Sequence, residues 1–409
     1  MRIEEIGAGG DGVAIIDGAR VFVPLTAPGD IAEIDIRGER GTLVALAGRS
    51  PYRAEPPCRH YGRCGGCSLQ HVAHDFYHEW KRNRVVSALA REGFGGTQVK
   101  AMIQTPTASR RRAAFAVKKL QGRILLGFNA RRSTDIVDIE DCLVLDPGLK
   151  VRLPALRALS SEIAAPSFDL SVTLCDNGLD IVVMGSAEAP RGAFLAGVIN
   201  AAKAAGAARL SLNDEILALF APPVVSFDGV CVIPPPGGFL QASREEEDTL
   251  IALVKEAAAG ARKIADLFSG CGTFALPLAK TATVCAADAD GASIDALVDA
   301  AANAQRAGIG INPVKAEKRD LFERPLTAKE LKVFDAVVFD PPRAGAAAQA
   351  VEIAKSDVPL VIGVSCNPGT FARDAAILAQ GGYTLSHVVP VDQFVYSPHV
   401  ELVGVFNRM

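Results

Sequence analysis

Short apolar runs separated by turn residues fill the first fifty positions. "GVAII", "RVFVPL", "IAEIDI" and "TLVALA" alternate with "DGA", "APGD" and "RGERG", a spacing that predicts a small β-barrel. The stretch "RSPYRAEPPCRHYGRCGGC" has no period and is rich in Pro, Gly and Cys, which marks a boundary. Over 75–92 the apolar positions Phe76, Trp80, Val85 and Leu89 recur at helical spacing and predict a core-facing helix. From about 103 to 233, strand-like "AAFAVKKL", "RILLGFN", "DLSVTLC" and "LDIVVMG" mix with Ala-rich helices, an α+β pattern. From about 240 onwards strands alternate with helices: "KIADLF", "TVCAAD", "INPVKA", "FDAVVFD", "PLVIGVS", "LSHVVPV" and "VELVGVF". That order predicts an α/β domain with an open parallel sheet. The chain divides on this reading into 1–52, 53–233 and 234–409.

A length of 409 residues, 49% hydrophobic and 22% charged, fits two or three globular domains. The start "MRIEEIGAGG" lacks the pattern of a signal peptide and no apolar run could cross a bilayer, so the expectation is a cytoplasmic protein without membrane contact. The net charge of −3 hides one local feature. Residues 106–132 hold eight Lys or Arg and no acid, which reads as a solvated face or, slightly favoured, a phosphate track.

Chemistry concentrates at the strand ends of the last region. In "ADLFSGCGTFALPLA" an acid ends a strand and a Gly-rich turn opens a helix, with Asp288 at the next strand end placed to meet ribose hydroxyls. "GCGTFA" also fits a dinucleotide fingerprint, so an NAD-dependent oxidoreductase competes at this point. Asp340 in "FDPPRAG" and Cys366 in "SCNPG" then end two further strands. Ligands of open α/β sheets bind at the carboxyl ends of the strands, so Asp266, Asp288, Asp340 and Cys366 are expected to face one cleft. A lone cysteine is more often core filler; its neighbours here favour a nucleophile.

Nine cysteines in a chain with no export signal argue against a disulfide framework. Cys58, Cys64 and Cys67 are spaced C-x5-C-x2-C, and Cys142 lies much further on. Four thiolates suit zinc, for which His60 and His71 could substitute, and equally a [4Fe–4S] cluster. Spacing leaves both open.

Together these stretches resemble the S-adenosylmethionine-dependent RNA uracil-5-methyltransferase family over nearly the whole chain. The first fifty residues look like its TRAM β-barrel, and "PPCRHYGRCGGCSLQH" with "LGFNARRSTDIVDIEDCLVL" like its iron–sulfur segment. "GGFLQAS", "DLFSGCGTFALPLA", "FDPPRAG", "SCNPGTFARD" and "HVELVGVF" resemble its catalytic motifs in order. The resemblance implies a Rossmann-like class I methyltransferase domain, an N-terminal TRAM-like barrel, and a central α+β domain with a [4Fe–4S] cluster on Cys58, Cys64, Cys67 and Cys142. It assigns Gln241, Phe268, Thr273, Asp288, Asp320 and Asp340 to S-adenosylmethionine, Cys366 as nucleophile and Glu401 as general base. It implies a monomer acting on RNA, with 23S ribosomal RNA favoured and transfer RNA the alternative. Two positions depart from the family pattern: Asp288 replaces the usual Glu, and Ser243 the usual Asn. The 5-methylcytosine RNA enzymes carry a second cysteine beside the proline of this motif, and "DPPRAG" has none. A non-catalytic RNA-binding protein is disfavoured because Cys366, Glu401 and "DPPR" are all present.

Overall fold

The computed structural model describes residues 1–185 and 192–408. Its first strands form a five-stranded sheet in the order Glu5–Ile6, Gly12–Ile16, Ala19–Val23, Arg40–Gly48, Ile31–Arg37. Ile3, Ala14, Val21, Val23 and Ala32 meet in its small core, as strand alternation requires. A seven-stranded sheet follows, running Ile136–Asp138, Arg123–Asn129, Arg112–Leu120, Ser167–Cys175, Gly178–Met184, Ala207–Leu212, Glu215–Leu219. Helix Leu153–Glu162 buries Leu153, Leu156 and Leu159 in its core.

The largest sheet has nine strands. Val314–Lys318, Thr283–Asp288, Lys263–Leu267, Ala336–Phe339 and Leu360–Ser365 are parallel neighbours in that order. Glu401–Arg408 then runs antiparallel to Leu360–Ser365, with Tyr383–Asp392 antiparallel beyond it. The buried strands read as continuous Val, Ile, Leu and Ala runs because both faces are covered.

The far edge of this sheet is made by a part of the chain that the sequence pattern grouped with the central region. Gln98–Val99 and Ile103–Gln104 pair with Tyr383–Asp392. Helix His74–Arg91 places Val85, Ala88 and Leu89 in the core with Phe371, Leu402 and Phe406. A helical period says which face is buried, not which sheet buries it. The docking is fixed by Lys81, fully buried and ion-paired with Asp392, with Nζ also donating to the Phe394 carbonyl at 3.0 Å. Burial brings Lys81 down to about 8, against the pull of Asp392.

Helix Pro368–Gln380, which begins two residues after Cys366, rests on a flat patch of backbone. Gly363 and Gly404 lie opposite one another in the antiparallel pair, and the Phe371 ring fills the space above them. A Cβ at Gly404 would come 2.3 Å from the Phe371 ring. Gly404→Ala should therefore cost about 1–3 kcal/mol by overpacking, read as a lower thermal unfolding midpoint. An unchanged midpoint would mean that Phe371 is not seated on this patch.

Candidate active site

Each strand end supplies one piece of a crevice. Pairing of Leu267 with Phe339 sets Phe268 beside Asp340, whose N–H donates to the Leu267 carbonyl at 3.2 Å. The Gly-rich turn then folds back over the end of the next strand. Asp288 accepts the N–H groups of Gly270 at 2.9 Å and Asp290 at 2.8 Å, which fixes its carboxylate at the lip. Gly272 has φ +98°, where an L side chain is strained, and a Cβ there would meet Leu297 at 2.5 Å. Thr273 follows in the same turn. Asp320, past the end of Val314–Lys318, accepts the Phe322 N–H at 2.9 Å, and the Phe322 ring sits 5.5 Å from that of Phe268. Buried Gln241 donates to Asp340 Oδ2 at 3.4 Å and accepts from Gln393 Nε2 at 2.5 Å. The six residues expected to meet the cofactor thus stand along the strand ends or bond to a residue that does. Asp266 differs from expectation. It is fully buried beneath the turn, and burial with Asp340 nearby raises it well above the usual range, with the Ala275 N–H opposing.

Cys366 and Glu401 come together through register. Ser365 pairs with Leu402 in the antiparallel ladder, so the next residue of one strand meets the preceding residue of the other. Glu401 is buried; desolvation first, then Asp340 and Glu246, push it well above the ordinary carboxylate range, while Arg343 opposes. Cys366 is pushed up to about 11 by burial, with Glu401 and Asp340 adding and Arg343 opposing. The surrounding loops are tied down. Pro341 and Pro342 leave a stiff turn after Asp340, and the Arg343 carbonyl accepts from Asn367 Nδ2 at 3.1 Å and Thr370 Oγ1 at 3.2 Å. Asn367 also caps helix Pro368–Gln380 through the Gly369 N–H at 3.0 Å. Sequence reasoning gave Arg343 no role of its own, although an arginine directly after a strand-end double proline was the available signal.

The four cysteines singled out by spacing line one cavity of about 420 Å³, together with Arg343 and His399. Cys67 is pushed up to about 12, mainly by burial, and Cys142, Cys64 and Cys58 add to the rise. Among the described residues no group of three or more His, Cys, Asp or Glu converges as closely as a single metal ion needs. His71 is already engaged: Nδ1 lies 2.5 Å from the Tyr61 hydroxyl and Nε2 bonds the Thr26 carbonyl at 3.0 Å.

Much of the basic stretch 106–132 is engaged within the protein, although Lys118, Arg123 and Arg132 remain exposed. Arg111 is buried and ion-paired with Glu247 at 2.5 Å, and Arg112 donates to the Leu240 carbonyl at 2.8 Å. Arg131 and Arg132 both pair with Asp11, and Arg123 with Asp138 at 3.0 Å. Lys119 caps the Ser161 carbonyl at 2.7 Å, and Arg110 donates to the Arg112 carbonyl at 3.1 Å. Their partners are acids and carbonyls supplied largely from distant parts of the chain.

A family model described as tRNA (Uracil-5-)-methyltransferase matches residues 237–408. Over its whole length the chain is 44% identical to an uncharacterized RNA methyltransferase of Rhizobium meliloti, 99% of which is covered. It is 32% identical to the 23S rRNA (uracil(1939)-C(5))-methyltransferase RlmD of Chromohalobacter salexigens, over 100% of this chain and 89% of that protein. Among solved structures, the Pyrococcus abyssi tRNA (uracil-54, C5)-methyltransferase in complex with S-adenosyl-L-homocysteine superposes with a TM-score of 0.73 at 23% identity, covering 99% of each chain. That likeness establishes the shared fold.

The charge coupling between Cys366 and Glu401 is open to direct test. Glu401 raises the thiol, so Glu401→Gln should move the pH profile of Cys366 alkylation by iodoacetamide to lower pH, followed by peptide mapping. A profile that stays put or moves up would show that Glu401 is out of electrostatic reach.

Proposed function

This chain belongs to the RNA (uracil-5-)-methyltransferase family, and we propose that it transfers a methyl group from S-adenosylmethionine to carbon 5 of a uridine in 23S ribosomal RNA. The observation that carries the reading is the pairing of Ser365 with Leu402, which brings the next residue, Cys366, within electrostatic reach of buried Glu401 beside the Asp340 turn. Carbon 5 of uracil is a poor nucleophile. Attack of the Cys366 thiolate on carbon 6 forms an S–C bond and sends the ring electrons into an enolate, which makes carbon 5 nucleophilic. When bound, S-adenosylmethionine supplies the electrophilic methyl group. Glu401 then accepts the carbon 5 proton, the S–C6 bond breaks, and the electron pair returns to sulfur. Arg343, which opposes the upward shifts of both groups, favours their ionised forms.

Gln241, Phe268, Thr273, Asp288, Asp320 and Asp340 fit a cofactor bound across the strand ends. Asp288 would accept the ribose hydroxyls, while Phe268 and Phe322 offer aromatic faces to its base. The five-stranded sheet at 1–52 is read as a TRAM-like RNA-binding module, and the protein as a cytoplasmic monomer. Cys58, Cys64, Cys67 and Cys142 suit a [4Fe–4S] cluster: four thiols lining a cavity leave room for a body larger than one ion. The ribosomal substrate is favoured over transfer RNA by the 32% identical relative named for 23S rRNA.

Mapping 5-methyluridine in RNA from a strain lacking the protein tests the function. One 23S uridine should lose its methyl group and regain it on complementation. Loss from transfer RNA instead would overturn the substrate, and no loss anywhere would overturn the activity. Protein purified without oxygen should carry about four irons, lost in Cys64→Ser. One zinc and no iron would contradict the cluster.

A further inference from the structure

Three consecutive acids open helix Arg244–Ala257, and two of them have an ordinary explanation. Glu245 is exposed, where a solvated carboxylate suits a helix N-terminus, and Glu247 pairs with Arg111 at 2.5 Å. Glu246 is fully buried, and the two buried cations nearest to it in the fold are already taken, Lys81 by Asp392 and Arg111 by Glu247. We propose that Glu246 is a positioning residue that acts through Glu401, the two buried carboxyls forming one unit in the wall of the crevice. The inference rests on the role proposed above for Glu401.

A series of backbone and side-chain contacts links the two groups. Val391 stands opposite Glu401 in the antiparallel ladder, so the segment leaving that strand carries Asp392 and Gln393 past Glu401. Gln393 Nε2 donates to Gln241 Oε1 at 2.5 Å, which ties on the segment that leads into the helix. Ser243 caps the helix, its Oγ accepting the Glu246 N–H at 3.3 Å, and the helix packs on strand Glu401–Arg408. Glu246 is faced by the Gln393 amide and by Asp392, Lys81 and Glu247. Glu401 is faced by Asp340, Glu246 and Arg343, with Cys366 within charge reach. Of these, Asp340 and Glu246 strengthen its hold on a proton. A stronger base takes a proton from carbon faster, provided it is ionised when it acts. A second buried acid supplies that strength without filling any space the substrate needs.

The test compares Glu246→Gln with wild type in the full chain. Infrared titration of the buried carboxyl bands, with the Glu401 band identified by its loss in Glu401→Gln, should show Glu401 giving up its proton about one pH unit lower in Glu246→Gln. Tritium release from a 23S transcript carrying 5-tritiated uridine reads the proton-removal step. Its acid limb should move down with the band and its plateau should fall about threefold, as expected of a weaker base. Glu246→Asp, which keeps the charge, should return the limb towards wild type. Folding is checked by the thermal midpoint. The folded chain holds the Glu246 proton up to about 9 while the unfolded chain loses it in the ordinary carboxylate range, so wild type loses stability as pH rises through that window. Glu246→Gln lacks this loss, and its midpoint should gain on wild type across the same window. A Glu401 band that titrates alike in both proteins would overturn the proposal. Slower tritium release with an unmoved limb would reduce Glu246 to a structural role and overturn it as well. A wild type that releases tritium from no RNA would remove the function proposed above, and the infrared shift alone would then decide the carboxyl unit.

Discussion

Antiparallel pairing of Glu401–Arg408 with Leu360–Ser365 reverses the direction of a sheet whose first five strands are parallel. Parallel strands all end at the same edge, so each contributes one residue to the crevice as the chain leaves it. A strand running the other way begins at that edge. Its first residue, Glu401, therefore arrives where Cys366 departs. Cys366 and Glu401 are brought to one place by the backbone pairing of these two strands, and a one-residue slip would turn Glu401 to the other face. Phe371, lodged against Gly363 and Gly404, locks the same pair from the helix side.

The crevice this creates is crowded with acid. Asp266, Asp340, Glu401 and Glu246 are raised chiefly by burial, and the Gln393–Gln241–Asp340 amide chain offers only neutral dipoles. Arg343 is the cation that opposes them at Cys366. An added positive charge in the crevice would lower the acids and the thiol together. A sulfonium methyl donor carries such a charge, so cofactor binding and thiolate formation are expected to support each other. Arg343 also lines the cavity of the four cysteines, which places that segment one side chain away from the Cys366 sulfur.

Part of the crevice was legible in the sequence because Asp288, Asp340 and Cys366 each follow or close an apolar run. Asp288, Asp340 and Cys366 could be placed at strand ends without knowing strand order. Register could not be read, so the meeting of Cys366 and Glu401 came only by resemblance. The docking of helix His74–Arg91 on the large sheet was hidden for a related reason: Lys81 finds Asp392 across 311 positions. The ion pairs of the basic stretch were hidden for the same cause. Arg111 and Arg131 are neutralised by acids 136 and 120 positions away, and a run of charge in one segment says nothing about partners so remote.

The central claim is that Cys366 opens the reaction and Glu401 closes it. Mass analysis of Glu401→Gln after incubation with substrate RNA and methyl-labelled cofactor tests this most directly. The account expects a denaturation-resistant adduct in which the Cys366 peptide carries a methylated uracil, absent in Cys366→Ala. Turnover by Cys366→Ala at near wild-type rate, or an adduct on any other residue, would contradict it.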